Sequence, residues 1–294
     1  MGVRRPAVAG TFYAATRSGV LSQLEWSYRH PLGPGEVPEV NPAGPRELVG
    51  LIVPHAGYMA SGPVAAHAYR ALALDGMIET AVIVGPNHTG YGCAVSVWVS
   101  GTWSTPIGEA VVDEARARQL VGGVIRADES AHIYEHSVEV QVPWLQHLYG
   151  PAVRIVPVAM LVQDAHTAMS VGEALARLEG NVLLIASTDL THYEPQASAA
   201  RKDAGVVEAI QELDVDRMYQ RLADEGSSMC GYGPVAAVVH AARLRGVTRA
   251  ELLKYATSGD TTGDHSRVVG YAAMALRRPA QAKVEKRTEG VADL

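Results

Sequence analysis

Leu48-Val49-Gly50-Leu51-Ile52-Val53 runs directly into Pro54-His55-Ala56-Gly57-Tyr58. A short run with no polar residue is the pattern of a strand buried on both faces. The form recurs twice. Ala81-Val82-Ile83-Val84 leads into Gly85-Pro86-Asn87-His88, and Val182-Leu183-Leu184-Ile185-Ala186 leads into Ser187-Thr188-Asp189-Leu190-Thr191-His192. Each apolar run thus ends on residues able to do chemistry. Between and beyond these runs the pattern alternates. Residues 64–74, 113–120, 136–149, 165–178, 205–213 and 234–244 read as helices, and residues 154–160, 252–256 and 267–276 as further strands. The alternation predicts an α/β fold in one domain, with a mostly parallel central sheet flanked by helices. Five prolines and three glycines make 31–45 a loop. The domain is expected over 1–278, with a flexible tail over 279–294.

Parallel strands put their carboxyl ends on one edge of the sheet, where open α/β folds bind ligands. His55, His88, Asp189 and His192 therefore converge in this reading. Pro54 and Pro86 stiffen the strand exits, and Gly57 and Gly85 permit turns there. The bland alternatives are hydrogen-bonding histidines and an Asx turn at Asp189. Neutral imidazoles are common ligands of iron, copper and zinc, and a thiolate suits the same metals. Two cysteines are available, Cys93 and Cys230. Cys230 sits in Ser228-Met229-Cys230-Gly231-Tyr232-Gly233-Pro234, just before a helix whose N-terminus favours a thiolate. Composition alone does not choose it over Cys93. His67, His147, His166 and His240 fall in helices and read as packing or surface residues. His30 and His265 lie in loops without a supporting constellation. His132 and His136 are harder to dismiss. His136 and Glu139, three apart in an expected helix, would share a face, with either a local capping role or a role behind the ligands.

A net charge of −6 argues against a broad basic surface for nucleic acid. No apolar run is long enough for a membrane span, and residues 1–13 lack the core of a signal peptide, so the cytoplasm is expected. Two cysteines do not make a disulfide framework. The sequence holds no P-loop, no nucleophile elbow, no dinucleotide fingerprint after a strand and no H-E-x-x-H, so a nucleotide-cofactor enzyme has little support.

Arg5-Pro6-Ala7-Val8-Ala9-Gly10-Thr11-Phe12-Tyr13 opens a further set of motifs. Pro54-His55-Ala56-Gly57-Tyr58, Gly85-Pro86-Asn87-His88, Thr105-Pro106-Ile107-Gly108 and Glu135-His136-Ser137-Val138-Glu139-Val140-Gln141 follow. Thr188-Asp189-Leu190-Thr191-His192, Met229-Cys230-Gly231 and Gly270-Tyr271-Ala272-Ala273 complete it. In this content and order the chain resembles the Memo family, also called AmmeMemoRadiSam system protein B. The resemblance implies the fold of class III extradiol ring-cleavage dioxygenases, which are non-haem iron enzymes. It implies His55, His88 and Cys230 as metal ligands, with Asp189 and His192 in the same pocket as the catalytic pair. Iron as Fe2+ is the expected metal, copper the next and zinc the least. A small-molecule substrate is implied, as are radical SAM and AMMECR-type protein partners. One departure matters: the dioxygenases use two histidines and a carboxylate, whereas Cys230 stands at the third position here. A thiolate alters the redox potential of iron and favours Cu(I) more than a carboxylate does, so ring cleavage does not transfer with the fold. Three functions compete: a redox metalloenzyme with His192 as general acid or base, a zinc hydrolase, and a non-catalytic module that binds a peptide or protein in the same pocket.

Overall fold

The computed structural model describes residues 2–279. A two-residue strand, β1 (Val3–Arg4), is followed by helix α1 (Arg17–Arg29). The expected alternation then begins with β2 (Leu48–Val53), α2 (Tyr58–Asp75) and β3 (Thr80–Pro86). Short strands come next: β4 (Val95–Val97), β5 (Thr102–Thr105) and β6 (Gly108–Val111), then α3 (Glu114–Leu120) and β7 (Ile125–Ala127). The centre of the chain supplies α4 (Val142–Tyr149), β8 (Arg154–Met160), α5 (Ala165–Ala176) and β9 (Val182–Ser187). The last third holds β10 (His192–Glu194), α6 (Gln196–Gln211), α7 (Val215–Glu225), α8 (Tyr232–Leu244), β11 (Ala250–Thr257), α9 (Ser258–Thr262) and β12 (Val268–Arg277).

The central sheet runs β10-β12-β2-β9-β3-β8-β4-β7, with β11 also paired to β12. β2, β9, β3 and β8 are parallel neighbours. Every residue of β2, β3 and β9 is buried, so both faces of these strands are covered, as their unbroken apolar runs require. On this sheet α8 packs on β2, β3 and β9 and against α5, while α2 packs on β2, β11 and β12 and against α1. The expectation of parallel pairing holds for the four central strands and for β4 with β7, but not elsewhere at the margins. β12 runs antiparallel to β2, β11 and β10, and β4 runs antiparallel to β8. β1, β5 and β6 form a separate small sheet. Among the described residues no helix is long and apolar enough to cross a membrane.

One helix start departs from the sequence reading. The helix expected from 136 starts only at Val142, after a single 3-10 turn over Glu139–Gln141. The Glu135 carboxylate accepts the backbone N–H groups of His136 and Ser137, so the chain wraps around that side chain before helix can begin. His136 and Glu139 consequently do not share a helical face. Arg277 closes β12 and the Arg278 N–H donates to Glu47 O, so order extends to that point. The expected tail, apart from Pro279, lies outside the described residues.

Candidate metal centre

The parallel register places the site. Val53 is paired with Ser187 across β2 and β9, so the residues two steps beyond each strand, His55 and Asp189, face one another. The Asp189 carboxylate accepts the His55 N–H at 2.8 Å. β3 lies on the other side of β9 and delivers His88 two residues past its end. Cys230 arrives from the turn before α8, where its N–H donates to Asp189 O at 3.3 Å. That turn lies flat on the end of β9: a β-carbon on Gly231 would fall 2.5 Å from Ser187 O, so only glycine fits.

One nitrogen or sulfur each from His55, His88 and Cys230 lies within 4.8 Å of the other two. Cys230 Sγ is 3.2 Å from His55 Nε2 and accepts the Asp189 N–H at 3.2 Å. The Nδ1 atoms of His55, His88 and His192 are each committed. Ser187 Oγ donates its only proton to Ser137 O at 2.6 Å and accepts from Gln141 Nε2 at 2.8 Å. It can therefore only accept from His55 Nδ1, 3.0 Å away, which puts the proton on Nδ1 and leaves Nε2 as a bare lone pair. His88 Nδ1 donates to Glu135 Oε1 at 2.9 Å, and His192 Nδ1 donates to Ser228 O at 3.0 Å. Three imidazoles are thus fixed in the same tautomer by oxygen acceptors, the arrangement that orients histidine as a metal ligand or a base.

The electrostatics follow from burial. His55 is driven well below the ordinary imidazole range by desolvation, and further by the nearby His136 and His88 rings. Desolvation, then the Asp189 carboxylate, pushes the Cys230 thiol far up. Asp189 rises to about 6 through burial, which outweighs the N–H bond from His55. For Glu135 the balance is reversed. Burial alone would raise it, but the His88 hydrogen bond, the two imidazoles and the Ser137 N–H hold it down to about 2.

The site opens into a cleft of about 520 Å3, whose walls include Phe12, His136, His192, Tyr193 and Val269. His136 stacks on His88 with ring centres 4.7 Å apart and meets His55 edge-on at 5.3 Å. Phe12 covers its other side at 4.6 Å. His88, Glu135 and His136 form a second group with ligand-like spacing. The Glu135 oxygens are already taken up by His88 Nδ1 and by the N–H groups of His88, His136 and Ser137, so Glu135 acts as the support of His88.

The sequence-derived set is therefore brought together: His55, His88 and Cys230 in one group, with Asp189 and His192 on the same cleft. Cys93 stands apart, its N–H held by Ser96 and Asp128. His132 is fully buried beside Trp98, Trp103 and Arg4, away from the cleft. Sequence reasoning left Ser187, Gln141, Ser228, Phe12 and Tyr193 without roles. Ser187 lies two residues before Asp189 and Ser228 two before Cys230, and that closeness was the available signal.

A family model described as Memo-like protein matches residues 4–275. The chain belongs to the Memo family. A MEMO1 family protein of Methanopyrus kandleri is 50% identical, over 94% of this chain and 99% of its own length. One from Ignicoccus hospitalis is 49% identical, over 95% of this chain and all of its own length. The fold is also similar to the crystal structure of an uncharacterized protein from Escherichia coli K12, with a TM-score of 0.54 at 16% identity over 78% of this chain and 99% of the other. At that identity the likeness speaks for the fold alone.

The donor set fits a metal. Two imidazoles with Nε2 lone pairs and a thiol, each within reach of a common centre, suit iron, copper or zinc, and the Ser187 hydroxyl and Glu135 carboxylate fix the two rings from behind.

Proposed function

We propose that this Memo protein holds one metal ion through His55, His88 and Cys230 and acts as a redox enzyme on a small molecule. Iron as Fe2+ is preferred, copper is second and zinc last. The observation that carries this is the shared tautomer: each histidine of the cleft that has an Nδ1 hydrogen bond spends its proton on an oxygen behind it. Such anchoring is unnecessary for a packing histidine and is the usual support of a ligand. The preference for iron rests on the resemblance to ring-cleavage dioxygenases.

When bound, iron or copper would supply electron transfer and Lewis acidity at this position. The protein supplies the rest. His192 Nε2 has a free lone pair and takes a proton from a substrate hydroxyl on the cleft side, while Ser228 O holds the Nδ1 proton and stabilises the resulting cation. Ser228 Oγ also accepts the His192 N–H at 2.7 Å, fixing the ring from its own backbone. Asp189 keeps His55 and Cys230 in register through both its carboxylate and its N–H. Phe12 and Val269 give the cleft apolar walls.

The test is oxygen uptake by protein reconstituted anaerobically with Fe2+ or copper, measured with a panel of small oxidisable molecules. His192→Ala should keep its metal and lose turnover. Full turnover in that variant would remove His192 from the chemistry. Zinc-supported turnover without oxygen would make the site hydrolytic, and absence of specific metal binding would favour a binding module.

A further inference from the structure

The amino-terminal edge of the sheet, opposite the metal group, holds a separate charged hollow. Leu48 and Val182, the first residues of β2 and β9, line it together with the loop between α5 and β9. Two adjoining cavities of about 530 and 570 Å3 are both lined by Arg46, Arg245 and Arg278. These arginines come from three distant parts of the chain, and carboxylates do not match them. Asp75 is shared between Arg46 Nη1 at 2.8 Å and Arg277 Nη1 at 3.4 Å. Glu47 lines the second cavity but pairs with none of the three. Among the described residues Arg245 and Arg278 make no ion pair. Arg245 spends Nε on Ala176 O at 3.3 Å and Nη2 on Leu175 O at 2.8 Å and on Leu178 O, which leaves Nη1 without a partner among the described residues. Exposed Arg278 gives one bond, from Nη2 to Arg46 O at 3.2 Å. Desolvation, then the Arg278 charge, lowers Arg245 below the ordinary guanidinium range, so two cations crowd one hollow and an anion there relieves both. Arg46 is fixed in advance: its backbone is left-handed, with φ at +56°, and its Nε donates to Asn181 Oδ1 at 3.1 Å.

We propose that Arg245 and Arg278, backed by the charge of Arg46, bind the phosphate group of a small phosphorylated molecule at this edge of the sheet. A carboxylate carries one charge and is satisfied by a single guanidinium fork. A phosphate carries up to two charges and offers three oxygens, which suits donors arriving from two separate arginines. The first cavity falls within the range of about 300–1,000 Å3 usual for small-molecule sites, so it has room for more than the phosphate. Leu48, Val49, Leu178 and Val182 give the organic body an apolar lining. This site stands or falls independently of the metal centre.

Calorimetric titration of the full, metal-free chain with inorganic phosphate, glycerol 3-phosphate and acetate, at one ionic strength, tests this. Both phosphates should bind at a single site, about tenfold or more tightly than acetate. Arg278→Gln should weaken phosphate about tenfold, since one charge-assisted hydrogen bond is worth about that factor. Arg245→Lys keeps the charge, loses the planar fork and should weaken phosphate as well. Arg243→Gln is the control, because Arg243 is exposed on α8 and lines neither cavity; its affinity should match wild type. Circular dichroism checks each fold, and if Arg245→Lys does not fold, the exposed Arg278 decides the matter alone. Phosphate binding that survives Arg278→Gln overturns the site, as do an equal loss in Arg243→Gln, acetate binding as tightly as phosphate, and no saturable binding of either phosphate.

Discussion

Ser187→Ala removes a junction that holds His55, a proposed metal ligand, from behind. The Ser187 hydroxyl joins Ser137 O, Gln141 Nε2 and His55 Nδ1. All four residues are buried. Truncation leaves the Ser137 carbonyl and the His55 Nδ1–H without their partner, whereas Gln141 Nε2 keeps its bond to Pro54 O at 3.0 Å. An orphaned buried group costs about 1–3 kcal/mol, so the metal-free protein should lose about 3 kcal/mol in urea unfolding. His55 also loses the acceptor that fixes its tautomer. Supports of this kind are worth about 10–100-fold in metal affinity, or about 1.4–2.7 kcal/mol. Competition against a chromophoric chelator measures that loss directly. Leu184→Ala serves as the control. It lies in the same strand, is fully buried, and should cost a similar amount of stability by leaving a cavity. It touches none of the Ser187 bonds, so its metal affinity should stay near wild type. Wild-type affinity in Ser187→Ala, or an equal loss in Leu184→Ala, would refute the tautomer argument.

Acid should destabilise the metal-free protein through its buried His132. Burial, followed by the Arg4 charge, lowers His132 from the ordinary 6.5 to about 4, so between those values the unfolded chain binds a proton that the folded chain does not. Stability present above pH 6.5 is then lost on acidification towards pH 4, by about 3 kcal/mol from this residue. His132→Phe should reduce the pH slope of unfolding in that window by about one proton, and an unchanged slope would rule the residue out. Glu139 is the anchor of the N-terminal segment: it pairs with buried Arg4 and accepts from the Ala7 and Val8 N–H groups and the Tyr13 hydroxyl. Glu139→Gln leaves Arg4 buried without its counter-charge and should cost about 3–5 kcal/mol in denaturant unfolding, with Arg4→Gln in the same chain restoring part of it; a loss below about 1 kcal/mol would contradict the anchoring role.

The parts of this fold that were legible in the sequence are those where burial is two-sided. β2, β3 and β9 announced themselves as unbroken apolar runs, and their parallel pairing made His55, His88, Asp189 and His192 neighbours. The margins were not legible. β11 and β12 carry similar apolar residues whichever way they run, so their antiparallel pairing left no mark. β4 to β7 are only three or four residues long, and α7 buries little besides Met218, so neither gave a usable period. Apolar spacing from Val138 to Leu148 suggested an early helix start because it could not register the local grip of Glu135 on the backbone. At the site, residue types were legible and their hydrogen-bond logic was not. Nothing in the spacing of Ser187, Ser137 and Gln141 shows that they fix a tautomer, since they meet only in the folded chain. Cys230 was selected over Cys93 through family motifs, and the turn that carries it to His55 depends on the close approach allowed by Gly231.

Anaerobic metal analysis of the purified wild type beside His55→Ala and Cys230→Ala tests the proposed metal centre itself. Near-stoichiometric iron or copper is expected in the wild type and its loss in both variants, with each variant still folded by circular dichroism. Unchanged metal in Cys230→Ala would contradict the thiolate ligand, and the same metal content in all three would contradict the site.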